Sequence, residues 1–294
     1  MSYIITCTAT CDLTAEHLAK RGIHWLPFHY RLGNQDLPDD LYQSITAEEF
    51  YRRMAAGEDT ATSQVNTAEY VACFEGFLKQ GMDILHVDLS SGISGTVQSA
   101  MSAANHLRPL YPERTIRVVD SLAASSGYGL LLDALADRRD EGMTVDEAAD
   151  WAEANKLRVN HWFFTTDLTF FIKGGRVSRT AGTFGQILGI CPLLNVDYQG
   201  RLIPRAKVRS KKRVIRETEK RMEELADKGL DYDGKCYISQ SACREDAEAL
   251  AALIEARFPK LNGRVEINDI GTTIGSHTGP GTVALFFFGQ RRVD

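Results

Sequence analysis

Short apolar runs alternate with amphipathic segments through the first half of the chain, and this alternation most constrains the fold. Apolar runs open the sequence at SYIITCTAT and return at DILHVDLSS and TIRVVDS. The segments between them have helical spacing, and one of them carries the capping-box pair Thr46 and Glu49 before a stop at Gly57. Strands that alternate with helices favour a parallel sheet covered by helices. We therefore predict an N-terminal α/β domain over residues 1–158.

The pattern changes after residue 158. HWFFTTDL is typical of an aromatic strand, FGQILGI of a Gly-rich helix, and TVALFFFG of a closing strand. These segments, with the basic helix KKRVIRETEKRMEELADKG, predict a C-terminal α+β domain over residues 159–294. The 294 residues exceed what one hydrophobic core usually supports, ~250 residues, and no low-complexity linker separates the halves. We expect two domains in tight contact, with a cleft between them.

Charge and cysteine usage exclude several classes of protein. The formal net charge is −5 without an acidic or basic tail, so neither a nucleic-acid partner nor a polybasic membrane anchor is expected. No run approaches the roughly 18 apolar residues of a membrane-spanning helix, and the N-terminus lacks signal-peptide features. The six cysteines form no C-x-x-C pair, which argues against a zinc site or a redox pair. We expect a cytoplasmic protein with reduced thiols and no cofactor.

A first group of hydroxyl and glycine residues follows the strand DILHVDLSS. Ser94, Gly95 and Thr96 lie between the end of this strand and the start of a helix. Unpaired backbone N–H groups and the helix dipole attract an anion at such a position, and hydroxyl groups add further donors. The alternative is an ordinary Ser/Thr helix cap. Neither the P-loop pattern nor G-x-G-x-x-G is present, which argues against a nucleoside triphosphate site of that kind.

Two more segments carry side chains suited to polar recognition. Thr62 and Ser63 belong to the run TATSQ between two predicted helices, where they can face the sheet's carboxyl-end crevice or act as helix caps. His277 lies in IGSHTGPG, which we predict to be a turn that leads into the last strand. The glycines around His277 leave its imidazole open, so a ligand contact and a local hydrogen bond are equally plausible interpretations.

Two basic segments stand out in a chain whose net charge is negative. In KGGRVSR, the paired glycines predict a shaped loop that exposes the Arg176 guanidinium to a carboxylate or a phosphate. Arg209 and Lys211 belong to the second segment, KVRSKKR, which is either a solvated face or a docking surface for a partner. We expect these three cations to serve partner docking or phosphate contact.

Taken together, these segments resemble the DegV family of bacterial proteins, which includes the fatty-acid-binding subunits of bacterial fatty acid kinases. The resemblance covers nearly the whole chain and rests on TSQ, SSGISGTVQSA, VVDS, KGGRVSR, LGICPLLNVDYQGRLIPRAKVRSKKR and IGSHTGPGTVALFF. It implies two α/β domains with a long-chain fatty acid between them. By that resemblance Thr62, Ser94 and His277 hold the fatty-acid carboxylate, and Ser63, Gly95 and Thr96 belong to the supporting loops.

The chain departs from the family pattern at three places, one of which is Val65–Asn66 after TSQ, where Pro–Ser is common. Members usually open with a T-D-S-T segment, whereas residues 6–11 read TCTATC and lack the Asp–Ser pair. The family's R-T-R-K-K is RSKK over residues 209–212. Lysine cannot replace the bidentate fork of arginine, so this change bears on partner docking or phosphate contact.

Three functions are compatible with these residues. The first is a carrier that presents the fatty-acid carboxylate to a separate ATP-dependent fatty acid kinase subunit. The second is a lipid or acyl hydrolase with Ser94 as nucleophile, His277 as base and Asp269 as a candidate orienting acid, although G-x-S-x-G is missing. The third is a lipid-responsive regulator with another partner. We expect a carrier without catalytic activity of its own.

Overall fold

The computed structural model describes residues 3–178 and 189–294. The elements of the first part of the chain are β1 (Tyr3–Thr8), α1 (Ala15–Lys20), β2 (Ile23–Leu26), β3 (His29–Leu32), β4 (Gln35–Pro38), α2 (Ala47–Ala55), β5 (Thr60–Ser63), α3 (Thr67–Leu78), β6 (Asp83–Asp88), α4 (Thr96–Leu107), β7 (Ile116–Asp120), α5 (Ser125–Asp140) and α6 (Val145–Asn155). The second part contains β8 (Val159–Phe164), α7 (Thr169–Lys173), β9 (Ile190–Val196), β10 (Leu202–Arg209), α8 (Lys211–Leu225), β11 (Cys236–Gln240), α9 (Arg244–Arg257), β12 (Glu266–Asp269), α10 (Thr272–Thr278) and β13 (Val283–Phe288).

The N-terminal sheet is parallel throughout, as the alternation of strands and helices predicts. Its strand order is β2–β1–β6–β7, and helices connect successive strands. Every residue of β6 is buried, which fits a parallel strand that is covered on both faces. The predicted α/β fold class with a parallel N-terminal sheet is confirmed.

The C-terminal sheet has six strands in the order β10–β9–β8–β13–β11–β12, and only the β11–β12 pair is parallel. Successive side chains along its strands point alternately into two hydrophobic cores. Phe163 and Phe286 pack into a core that also contains residues of the N-terminal sheet, such as Val87. Trp162 and Leu285 pack on the opposite face, under α8 and α9. One face of this sheet therefore forms a continuous apolar interface with the N-terminal sheet.

A third, three-stranded sheet with the order β4–β3–β5 was not expected from the sequence. The run 23–32, which reads as one strand, is split at Pro27 into β2 and β3, because proline cannot donate to a continuing ladder. The Thr62 segment, predicted to lie between helices as a loop, is strand β5 and pairs with β3. The predicted turn at His277 is helix α10, which ends where Gly279 adopts a φ of 66°.

Some predictions cannot be compared with the structure. Arg179 and most of the predicted Gly-rich helix, residues 184–188, lie outside the described residues. Within residues 3–178 and 189–294, no helix is both long enough and apolar enough to cross a bilayer.

Candidate functional site

A largely apolar cavity lies between the two larger sheets. Both halves of the chain contribute apolar side chains to its wall, among them Phe28, Leu89, Phe163, Phe171, Val196 and Phe286. Apolar walls of this kind favour a ligand whose body is a hydrocarbon.

Thr62, Ser94 and His277 all line this cavity, although they are far apart in the sequence. Thr62 belongs to β5, and its Oγ1 lies 2.7 Å from Nε2 of His277 on α10. A second bond joins the same two elements, because Thr60 Oγ1 donates to the carbonyl of Ser276 at 3.2 Å. The small third sheet therefore positions Thr62 against His277, and the parallel sheet contributes Ser94 through the loop after β6.

The hydrogen bonds of His277 define which of its nitrogens carries the proton. Nη1 of Arg176 lies 3.4 Å from His277 Nδ1, and a guanidinium can only donate, so Nδ1 is the acceptor. Nε2 then carries the hydrogen and donates to Thr62 Oγ1, which leaves the hydroxyl hydrogen of Thr62 free. Burial, and secondly the charge of Arg176, lower the pKa of His277 to about 4, so the imidazole is neutral at pH 7.

Ser94 also retains a free hydrogen. Its Oγ accepts a hydrogen bond from the backbone N–H of Thr96 at 3.2 Å, and the Ser94 hydroxyl group can then donate into the cavity. Two hydroxyl donors in the wall of an apolar cavity suit an acceptor-rich group such as a carboxylate.

Arg176 is partly exposed. Its guanidinium is bonded to the backbone: Nη1 donates to the Gly174 carbonyl at 2.7 Å and Nε to the Ile93 carbonyl at 3.2 Å. The side chain lines the cavity beside His277, and burial lowers the pKa of Arg176. The reason is the close packing of the loop on α10, because a Cβ at Gly174 would collide with Nδ1 of His277.

The remaining predicted residues do not line the cavity. Ser63 is exposed at the end of β5, and Gly95 is the N-cap of α4. Thr96 is buried and its Oγ1 lies 2.7 Å from the hydroxyl of Tyr70. Arg209 is exposed at the end of β10, and Lys211 forms an ion pair with Asp246 at 2.7 Å.

The geometry does not favour the hydrolase. A catalytic histidine needs a carboxylate at the nitrogen opposite the nucleophile, and His277 has the cation Arg176 there. Asp269 instead accepts a hydrogen bond from Gln240. A histidine whose pKa is about 4 is also a weak base for a serine hydroxyl.

The structure adds cavity residues that the sequence did not reveal. Ser125 lines the cavity, and its hydroxyl donates to the buried carboxylate of Asp12, which also accepts the Gly271 amide at 2.9 Å. Burial raises the pKa of Asp12 well above its usual value. His161 is a further lining residue, from β8. No local pattern marks these residues, because their partners are distant in the sequence.

Comparisons with known proteins agree with this fold. Residues 3–290 match the sequence profile of the DegV family, whose description reads 'uncharacterised protein, DegV family'. A DegV domain-containing protein of Clostridium perfringens is 34% identical over 99% of this chain and 98% of its own length. One of Lactococcus lactis is 30% identical over 99% of each chain.

Solved structures with the same fold include fatty-acid complexes. A DegV family protein from Thermus thermophilus, whose structure is described as fatty acid binding, superposes with a TM-score of 0.87 at 24% identity, over 99% of this chain and 100% of that one. The fatty acid kinase B3 protein of Streptococcus pneumoniae, loaded with linoleic acid, superposes with a TM-score of 0.84 at 21% identity. The match covers 99% of this chain and 100% of that one. At these identities the likeness establishes a shared fold.

Proposed function

This chain belongs to the DegV family, and we propose that it is a carrier that binds one long-chain fatty acid in the cavity between its two domains. The observation that carries the proposal is an apolar cavity with Thr62, Ser94 and His277 in its wall. Fatty-acid-bound relatives of the same fold support it.

The carboxylate would accept hydrogen bonds from the free hydroxyl hydrogens of Thr62 and Ser94. Hydrogen bonds to an ionised acceptor are roughly twice as strong as neutral ones. Behind them, neutral His277 fixes the orientation of Thr62, and Arg176 places a positive charge beside the site. The arrangement favours an anionic head group without an ion pair in direct contact with it.

The acyl chain would supply most of the affinity. At ~0.8 kcal/mol per buried CH₂ group, the roughly fourteen methylenes of a C16 acid contribute about 11 kcal/mol before the costs of association. The apolar side chains of both sheets supply a wall against which such a chain would pack.

Phosphorylation of the carboxylate would require a separate ATP-dependent kinase subunit, because this sequence contains neither of the two phosphate-loop patterns. We propose that the carrier presents the carboxyl group to that subunit. Arg209 and Lys211 are candidates for the docking surface, as exposed cations outside the cavity. Arg176, in the cavity wall, would instead place its positive charge beside the carboxylate.

Native mass spectrometry of protein purified from a bacterial host tests the binding step. We expect a mass increment that corresponds to one long-chain fatty acid, identified after extraction. Protein that is free of lipid and takes up none when octadecanoic acid is added would overturn the proposal. Ester turnover by the purified protein, with loss of that turnover in Ser94→Ala, would instead support a hydrolase.

Acyl-phosphate formation with a cognate kinase tests presentation. Arg209→Ala and Lys211→Ala should keep their lipid and slow the reaction at low carrier concentration, with recovery at high concentration. Unchanged rates of acyl-phosphate formation would show that these two cations do not belong to the docking surface. Arg244→Ala is a matched control, since Arg244 is an exposed arginine of α9 that pairs with Glu248 in its own helix.

A further inference from the structure

Helix α10, which carries His277, begins without a cap of its own. Its N-cap residue is Gly271, which has no side chain to accept a hydrogen bond from the first helical amides. The helix has only seven residues, so these amides are a large part of its hydrogen-bonding groups. A helix this short depends on acceptors that other parts of the chain supply.

Two buried carboxylates from the N-terminal half of the chain supply these acceptors. Oδ2 of Asp39, in the loop between β4 and α2, accepts a hydrogen bond from the backbone N–H of Thr273 at 3.1 Å. Oδ1 of Asp12 accepts one from the Gly271 amide at 2.9 Å. Thr273 is the second residue of α10, a position that an N-cap side chain normally bonds. Asp39 therefore caps the helix in place of Gly271.

Further contacts dock the same end of α10 on α2 and on the loop before it. The hydroxyl groups of Tyr42 and Tyr51 both donate to the carbonyl oxygen of Ile270, at 2.5 Å and 2.7 Å. A Cβ at Gly275 would lie 2.5 Å from the hydroxyl oxygen of Tyr51. This approach is too close for any side chain, so the glycine allows α10 to lie directly against the N-terminal half.

The placement of α10 determines the geometry around the hydroxyl donors. Thr273, His277 and Thr278 of this helix line the cavity, whereas Asp39 does not. His277 Nε2 lies 2.7 Å from Oγ1 of Thr62, which belongs to β5 in the N-terminal half. A helix shift of ~1 Å away from β5 would break this hydrogen bond. The contact between His277 and Thr62 therefore requires α10 to stay docked.

We propose that Asp39 is a positioning residue for the fatty-acid site. By capping α10 from the N-terminal half, its carboxylate holds His277 against Thr62 and so keeps the Thr62 hydroxyl hydrogen directed into the cavity. The inference rests on the proposed function and extends it to a residue that does not touch the ligand. The donors for the fatty-acid carboxylate are then aligned only while the two halves of the chain are joined at α10.

The test applies two measurements to lipid-free protein: the dissociation constant for octadecanoic acid, and the pH titration of the His277 imidazole by nuclear magnetic resonance. In Asp39→Ala we expect about tenfold weaker binding, because the competent placement of His277 becomes one of several. The pKa of His277 is about 4 in the docked helix and should rise towards the ~6.5 of a solvated imidazole. Asp39→Asn keeps an acceptor oxygen and should stay close to the wild type in both measurements.

Thr144→Ala is the matched control, because Thr144 also caps a helix. Its Oγ1 accepts a hydrogen bond from the Glu147 amide at 3.3 Å, at the start of α6. No residue of α6 is among the described residues that line the cavity. This variant should lower the Tm and change neither the affinity for octadecanoic acid nor the titration of His277.

Wild-type affinity with a wild-type His277 titration in Asp39→Ala would overturn the inference, and so would weaker binding with an unchanged titration. Equal losses in Asp39→Ala and Asp39→Asn would also contradict it, because the amide oxygen can still cap the helix. If the wild type binds no octadecanoic acid, the proposed function fails, and the titration still decides whether Asp39 positions His277. If Asp39→Ala does not fold, Asp39→Ser, whose hydroxyl is one bond shorter than the carboxylate, takes its place with the same expected and contrary results.

Discussion

Replacing Thr62 with valine removes one hydroxyl group and keeps the β-branched shape of the side chain on β5. In the structure, Thr62 Oγ1 lies 2.7 Å from His277 Nε2, and Thr62 lines the cavity. The substitution therefore removes two interactions. One holds His277 in the unliganded protein, and the other is the proposed hydrogen bond to the fatty-acid carboxylate.

The loss of fatty-acid affinity and the loss of folding stability can be estimated separately. A hydrogen bond to a charged group contributes about 1.5–3 kcal/mol, which corresponds to roughly 10- to 150-fold weaker binding of the fatty acid. In the unliganded protein, the N–H of His277 loses its acceptor, at a cost of about 1–3 kcal/mol. For a chain of this size we expect the Tm to fall by ~2–4 °C for each kcal/mol.

Calorimetric titration with octadecanoic acid measures the affinity, and thermal unfolding of the lipid-free protein measures the stability. Thr60→Val provides the matched control. Thr60 is on the same strand and also bonds α10, through the Ser276 carbonyl at 3.2 Å, but it does not line the cavity. Thr60→Val should lower the Tm and leave the affinity unchanged.

Equal losses of affinity in the two variants would refute the carboxylate role of Thr62. An unchanged affinity in Thr62→Val, with a lower Tm, would reduce Thr62 to a residue that holds His277.

Three further predictions concern Ser94, His277 and the packing around His277. Ser94→Ala should weaken fatty-acid binding by about 1–3 kcal/mol in a calorimetric titration, because the carboxylate loses one hydroxyl donor; an unchanged affinity would leave Ser94 as a helix-capping residue. The pKa of His277 is about 4 in the folded protein against about 6.5 in an unfolded chain, so the unfolded state binds more protons between these values. The free energy of unfolding, measured in urea, should therefore fall as the pH drops from about 6.5 towards 4. In His277→Gln this fall should be smaller. A Cβ at Gly174 would collide with His277 Nδ1, so Gly174→Ala should weaken binding about tenfold or more, whereas Gly76→Ala, with open space around it, should not.

Much of the fold follows from local sequence. Strands of the parallel sheet were predicted because each is a short apolar run between capped helices, and the cap at Thr46 forms as its spacing indicates. The β3–β4–β5 sheet was missed because a four-residue polar strand such as Thr60–Ser63 has no periodicity that separates it from a loop. Its strand character depends on pairing with β3, about thirty residues earlier.

The site, like the fold, has features that follow from the sequence and features that only the tertiary structure shows. The sequence by itself identified Thr62, Ser94 and His277 through motifs that resemble one family, and the structure brings all three to one cavity. Only the tertiary structure decided the partners of Arg176 and the tautomer of His277. These properties depend on contacts between residues as far apart as 62 and 277, and on burial that raises the cost of charge. Local spacing determines which residues share a face, whereas solvent exclusion and hydrogen-bond partners exist only after the two sheets have packed together.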